Sequence, residues 1–98
     1  KKIIDKADLV LSDIAPNITG IEDVDQAHFF EIFESISSIC SDFLKIKGIL
    51  VMKFFNGSSY DSVKKRLNVL FNEVNTYKPD SSRSSSNEVF FICIGYKD

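Results

Sequence analysis

Hydrophobic residues along this 98-residue chain are grouped with two different periods. Continuous apolar runs occupy the segments DLVLS at residues 8–12, ILVM at 49–52 and EVFFICIGY at 88–96. Runs without a polar face are typical of strands buried on both sides of a sheet. We therefore predict three core strands in these segments and a further strand near EVNTYK, residues 73–78.

Two segments between these strands repeat their apolar residues every three or four positions, which is the period of a helix. The first is predicted to run from near Asp23 to near Lys45, and Gly48 is predicted to stop it. Its apolar residues are Phe29, Ile32, Phe33, Ile36, Ile39, Cys40, Phe43 and Leu44. The second helix follows the turn NGSSYDS, in which Ser58 and Asp61 have the spacing of a capping box. Its predicted buried residues are Tyr60, Val63, Leu67, Leu70 and Val74.

The predicted order of elements is β-α-β-α-β-β, which places the chain in the α/β class. Strands that alternate with helices form a parallel sheet through right-handed crossovers. No helix separates the last two strands, so we expect the last strand to run antiparallel to its neighbours. A chain of 98 residues suffices for one domain. Residues 79–87, PDSSRSSSN, form a serine-rich loop before the last strand.

Composition and charge argue against several classes of function. The net charge of −2 gives no overall basic field, so contact with a polyanion would need a local cluster of cations. No apolar run approaches the roughly 20 residues that span a bilayer, and the N-terminal segment does not have the pattern of a signal peptide. A single histidine and two separate cysteines do not form a metal-binding pattern, and they favour reduced thiols in an intracellular protein.

Three charged residues fall at the ends of predicted strands. Asp13 follows the first strand, Lys53 interrupts the second near its end, and Glu88 begins the last. Ligands of open α/β sheets bind outside the carboxyl ends of the strands, and an antiparallel last strand would begin at that same edge. Two acids beside one buried lysine also suit proton transfer. The alternatives are an ion-pair cluster that only stabilises the sheet edge, or three separately solvated side chains.

The segments that carry these charges are DLVLSDIAPNITG, GILVMKFFNG and KPDSSRSSSNEVF. In this order they resemble the later motifs of the FtsJ-like (RrmJ-like) 2′-O-ribose methyltransferases of large-subunit ribosomal RNA. The resemblance implies a Rossmann-like fold that binds S-adenosyl-L-methionine. It also implies that Asp13, Lys53 and Glu88 match three members of a Lys-Asp-Lys-Glu catalytic tetrad. Nothing here matches the first lysine or the glycine-rich cofactor loop, so residues 1–98 are predicted to be the C-terminal half of a single methyltransferase domain.

The resemblance also implies a role for each site residue. Lys53 would be the general base for the ribose 2′-hydroxyl, which requires its pKa to fall toward neutrality. Asp13 would face the sulfonium of the cofactor, and Glu88 would orient Lys53 and the hydroxyl. The predicted cofactor-binding residues are Ser12, Asp13, Ile14 and Pro16. The predicted RNA-binding residues are Asn17, Lys78, Ser82 and Arg83.

The function implied by the resemblance is methylation of ribosomal RNA, with the RNA itself or the large ribosomal subunit as partner. No membrane or metal partner is expected, and the complete enzyme is expected to be a monomer. The expected location is intracellular: cytoplasmic, or mitochondrial or nucleolar in a eukaryote. One alternative is a tRNA 2′-O-methyltransferase of the same family. The other is a non-catalytic RNA-binding or interaction module that keeps the fold.

Overall fold

The computed structural model describes residues 6–14, 19–79 and 88–97 of the chain. Within these ranges the chain forms four strands and two helices in the predicted order. The elements are β1 (Ala7–Ser12), α1 (Glu22–Phe43), β2 (Leu44–Phe55), α2 (Tyr60–Leu70), β3 (Phe71–Tyr77) and β4 (Glu88–Tyr96). The α/β class predicted from the hydrophobic pattern is therefore confirmed.

The four strands form one sheet in the order β1-β2-β4-β3. β1 runs parallel to β2, whereas β4 runs antiparallel to both β2 and β3. The antiparallel last strand is thus confirmed, and it is inserted between β2 and β3. As a result, the carboxyl ends of the first three strands and the beginning of β4 lie at the same edge of the sheet.

One face of the sheet is covered by both helices. Because side chains alternate along a strand, Leu50, Met52 and Phe54 of β2 point to this face, and each is at most 3% exposed. They join residues of β4 and of the two helices in a single buried cluster. Members from the other elements include Phe29, Phe33, Ile36, Cys40, Val63, Leu67, Val89, Phe91 and Cys93. Burial of this apolar face holds the helices against the sheet.

The opposite face of the sheet keeps large apolar side chains in solvent. Leu9, Ile49 and Ile94 are paired in a row across β1, β2 and β4, and they are 52%, 37% and 37% exposed. Leu11, two residues along β1 from Leu9, is 68% exposed. We call these four residues the open apolar face. A sheet in the predicted α/β class has helices on both faces, so this face departs from that expectation within the described part of the chain.

The first helix ends close to its predicted end near Lys45, but the prediction that Gly48 stops it was wrong. α1 ends at Phe43, which is 40% exposed, and β2 begins at once with Leu44. Gly48 lies inside β2 at an irregularity, where the pairing with β1 shifts register. A Cβ atom at Gly48 would lie 2.7 Å from the Lys45 carbonyl oxygen, so the glycine permits a close backbone approach in this strand. It is not a helix stop.

The second helix also begins differently from its prediction. Ser59 is the residue before α2, no side chain caps the helix, and the predicted capping box of Ser58 and Asp61 does not form. The Ser59 hydroxyl donates instead to the side chain of Gln26 on α1. Val74 lies on β3 and not on the helix, because the chain turns into that strand directly after Leu70.

Candidate strand-edge site

The three charged residues predicted to converge do so. Lys53 Nζ lies 2.6 Å from Asp13 Oδ1 and 3.3 Å from Glu88 Oε2. We call Asp13, Lys53 and Glu88 the charged triad. The triad lies at the edge where β1 and β2 end and β4 begins, which is the position expected of a ligand site in this class of sheet.

Strand register explains why these side chains meet. Ser12 pairs with Met52, so Asp13 follows β1 beside Lys53. Lys53 pairs with Phe90, and Phe55 pairs with Glu88. Lys53 and Glu88 are therefore diagonal neighbours on the same face, a relation that brings long side chains into contact. This is the face opposite the helices, because the neighbouring Met52 points into the core.

The environment of Lys53 favours its charged form. The hydrogen bond with Asp13 is the main cause that raises its pKa above the ordinary value, Glu88 adds to the rise, and burial opposes it. The Lys53 side chain is 16% exposed, whereas Asp13 is 69% and Glu88 37% exposed. Lys53 is thus an ammonium at neutral pH in this structure. The fall in pKa that a general base requires is not produced by the described residues.

The structure separates the predicted cofactor-binding residues. Ser12 shares the core face with its partner Met52, is 7% exposed, and has a hydroxyl oxygen without a hydrogen-bond partner among the described residues. Its side chain therefore points away from the face that carries Lys53. Ile14 is 56% exposed directly after Asp13. Pro16 lies outside the described residues.

Of the predicted RNA-binding residues, the structure describes one. Lys78 is exposed and directly follows β3, at the same edge of the sheet as the triad. Asn17, Ser82 and Arg83 lie outside the described residues, so their positions stay a prediction.

Sequence reasoning missed two buried polar residues in the first turns of α1. Asp25 and Gln26 are each 7% exposed and bind the loops that follow β1 and β2. An acid in the first turn of a helix is usually explained by the helix dipole alone, an explanation that Asp25 fits without any need for burial. The signal lay in the spacing: these residues precede Phe29 by four and three positions, which places polar side chains on the buried stripe. A buried polar group needs a partner.

The described ranges do not form a metal site, a reactive thiol or a membrane-spanning helix. Among residues 6–14, 19–79 and 88–97, no group of three or more His, Cys, Asp or Glu side chains is arranged to hold a metal ion. Burial raises the pKa of Cys40 to about 11 and that of Cys93 to about 12, so both remain thiols. Neither described helix is long and apolar enough to cross a membrane.

Comparison with known proteins identifies the class that this fold and triad define. The family model described as FtsJ-like methyltransferase matches residues 1–96. This chain therefore belongs to the FtsJ-like methyltransferase family, which confirms the resemblance drawn from its motifs.

Two relatives give the comparison more detail. The ribosomal RNA large subunit methyltransferase E of Methanosphaera stadtmanae is 41% identical over 92 residues, which are 94% of this chain and 45% of that protein. A crystal structure from Plasmodium falciparum, assigned as a ribosomal RNA methyltransferase, superposes with a TM-score of 0.81 at 28% identity. That match covers 94% of this chain and 48% of the other. The chain thus spans about half the length of the relatives it matches.

Proposed function

We propose that this chain is the C-terminal half of an S-adenosyl-L-methionine-dependent methyltransferase that modifies the 2′-hydroxyl of a ribose in large-subunit ribosomal RNA. The observation that carries the proposal is the charged triad at the strand edge. Family membership supports the type of reaction, and the names of the two relatives support ribosomal RNA as the substrate class.

Asp13 and Ile14 are the described residues best suited to contact the methyl donor. S-adenosyl-L-methionine supplies a methyl group on a positively charged sulfur. The Asp13 carboxylate is 69% exposed at the end of β1, so it is accessible to a cation. Ile14 offers an exposed apolar surface beside it. Ser12 fits this role only through its backbone, because its side chain points to the core.

Lys53 is the residue we assign to the hydroxyl proton. An alcohol is a weak nucleophile, so its proton must leave as the new carbon–oxygen bond forms. The neutral Nζ of Lys53 would accept that proton, and Glu88, 3.3 Å away, would hold the resulting ammonium. Asp13 is the main cause of the raised pKa of Lys53. A cation that engages Asp13 would weaken that contact and so lower the pKa of Lys53.

The open apolar face supports the half-domain part of the proposal. It consists of Leu9, Leu11, Ile49 and Ile94, and β1 beside it is the outer strand of the described sheet. Both features are suited to contact with additional polypeptide. A further strand would pair with the outer edge of β1, and a packed layer would cover the apolar side chains. We propose that the remaining half of the methyltransferase domain supplies both.

One observation favours a second candidate, a non-catalytic RNA-binding or interaction module. Lys53 is fully engaged with two carboxylates and carries a raised pKa, which is also what a purely structural ion-pair cluster would show. The two candidates differ in one measurable respect. A structural cluster would leave methyl transfer absent in the complete protein, whatever residue stands at position 53.

The experiment is single-turnover methyl transfer by the complete domain onto large-subunit ribosomal RNA, with tRNA as the comparison substrate. Lys53→Ala should slow transfer by about 10²- to 10⁴-fold, the usual contribution of a general base, with RNA and cofactor affinity nearly unchanged. Resistance of the modified linkage to alkaline cleavage would identify the 2′-oxygen as the acceptor. Near-full activity of Lys53→Ala would exclude the proposed base, and preference for tRNA would exclude the ribosomal substrate.

We also propose that the complete protein acts as an intracellular monomer without a resident metal. The two described cysteines are free and buried, which suits a reducing compartment. Chelator treatment of the complete domain should leave methyl transfer unchanged, and its mass in solution should be that of one chain.

A further inference from the structure

The first turns of α1 contact both loops that leave the site. On one side, the Asp25 carboxylate accepts hydrogen bonds from the backbone N–H and the hydroxyl of Thr19, at 2.9 and 2.8 Å. It also accepts the backbone N–H of Gly20 at 3.1 Å. Thr19 and Gly20 belong to the connection that begins with Asp13 after β1.

On the other side, Gln26 binds the turn that follows β2. Its Oε1 accepts both the backbone N–H and the hydroxyl of Ser59, at 2.9 and 2.5 Å. Gly57 packs so closely against this amide that a Cβ atom there would collide with Gln26 Nε2. The neighbouring Glu22 accepts the N–H of Ser58 at 3.4 Å. Three consecutive residues of the turn are therefore held by α1.

The same helix also supports the end of β2 beside Lys53. Phe29, one turn beyond Asp25, stacks on Phe55 with ring centroids 4.7 Å apart. It meets Phe54 edge-on at 5.9 Å. Phe29 itself is 5% exposed, so its position is fixed by the core. The backbone immediately after Lys53 is thus packed against the same helix that binds the connection after Asp13.

We propose that Asp25 and Gln26 are positioning residues that hold Asp13 and Lys53 in contact by bracing the two loops against one helix. This inference rests on the proposed function, because the position of the triad has consequences for the rate only if the triad performs the chemistry. Both residues are buried and both bind loops rather than solvent. The geometry of the triad therefore depends on α1, although α1 contributes no residue to it.

The test compares Gln26→Leu, which removes the acceptor, with Gln26→Glu, which keeps one for the Ser59 N–H and hydroxyl. In the complete domain, Gln26→Leu should lower kcat by about 10- to 100-fold with KM for RNA unchanged, as expected for a small misplacement of reacting groups. Gln26→Glu should restore most of the rate. Glu34→Gln, which breaks an exposed ion pair of α1 with Arg66, should leave kcat unchanged.

A second readout separates this inference from the proposed function. The pKa of Lys53, followed by NMR in the same variants, should fall toward its ordinary value in Gln26→Leu, because the contact with Asp13 is loosened. It should stay raised in Gln26→Glu. This readout does not need activity. If the complete domain transferred no methyl group, the proposed function would be refuted, but the Lys53 titration would still test the positioning role of Asp25 and Gln26. Reduced thermal stability of Gln26→Leu, with kcat and the Lys53 titration both unchanged, would overturn the positioning role.

Discussion

Lys53 lies between two carboxylates, and its protonation state determines what the triad can do. If Lys53 is the base, kcat should rise with pH until the lysine is neutral. Glu88→Gln removes one of the contacts that raise the pKa of Lys53, so the rising limb should move to lower pH. Glu73→Gln removes the same charge from β3 and should leave the limb in place. A limb that does not move in Glu88→Gln would show that Lys53 does not control the rate.

The same residues show what a sequence reveals about a site. Asp13, Lys53 and Glu88 were predictable because each stands where an apolar strand ends, and strand ends of this fold class share one edge. The direction of the Ser12 side chain could not be predicted, because it depends on the pairing of β1 with β2. Asp25 and Gln26 were missed because their partners, Thr19 and Ser59, are brought to them only by the packing of α1 on the sheet.

At the scale of elements, the strong periodicities gave the right types and order. The predicted element boundaries were wrong where the same type of residue can occur in two different structural contexts. Gly48 resembles a helix stop in sequence, yet it allows close backbone contact within β2. The apolar stripe of α1 passes through Phe43 to Leu44 without a break, so nothing local shows that the helix gives way to a strand there.

The irregular start of β2 gives a prediction about stability. Gly48→Ala would place a Cβ atom 2.7 Å from the Lys45 carbonyl oxygen, and should destabilise the chain by about 1–3 kcal/mol, as overpacking does. The adjacent Lys47 has a φ of 73°, a conformation that costs a non-glycine residue about 1–2 kcal/mol. Lys47→Gly should therefore be neutral or stabilising. Urea unfolding of both variants measures the difference, and equal losses would contradict this account.

The hydrogen bonds that Asp25 of α1 accepts from Thr19 and Gly20, in the loop after β1, give a prediction about stability at acid pH. The hydrogen bond from the Thr19 N–H is the main cause that lowers the pKa of Asp25 below 3.8, with the Thr19 hydroxyl, Gly20 N–H and nearby His28 acting in the same direction. A lowered pKa contributes stability above the unfolded-state value, and that contribution is lost as pH falls through the folded-state value. Asp25→Asn should therefore be less stable than the parent chain near neutral pH.

The difference in stability between Asp25→Asn and the parent chain should shrink as the pH falls below 3.8, because Asp25 of the parent chain then also becomes neutral. Denaturant unfolding at a series of pH values measures it. Asp23→Asn, at an exposed position in the same helical turn, is the matched control and should show a smaller difference. If the difference in free energy of unfolding between Asp25→Asn and the parent chain were constant with pH, the lowered pKa of Asp25 could not be its cause.

At the scale of the whole molecule, the two faces of the sheet are unequal. One face is closed by α1 and α2, while the other presents Leu9, Leu11, Ile49 and Ile94 to solvent beside the triad. Patches of exposed apolar side chains next to an unpaired strand edge favour association with other chains. The site and the uncovered surface lie on the same side of the sheet. Whatever covers this face would therefore also approach Lys53.

One prediction concerns this face in the isolated 98-residue chain. Replacement of Leu9 and Leu11 by threonine keeps strand propensity and removes apolar surface, so self-association in sedimentation experiments should decrease. Val69→Thr, at a 72% exposed position of α2, changes a similarly exposed side chain elsewhere and should have no such effect. In the complete domain, the same Leu9 and Leu11 substitutions should instead lower stability, because these side chains would be buried.

The isolated chain should also bind S-adenosyl-L-methionine weakly or not at all, because it is proposed to be only half of the methyltransferase domain. Calorimetric titration measures this binding, and micromolar affinity of the isolated chain would refute the half-domain proposal.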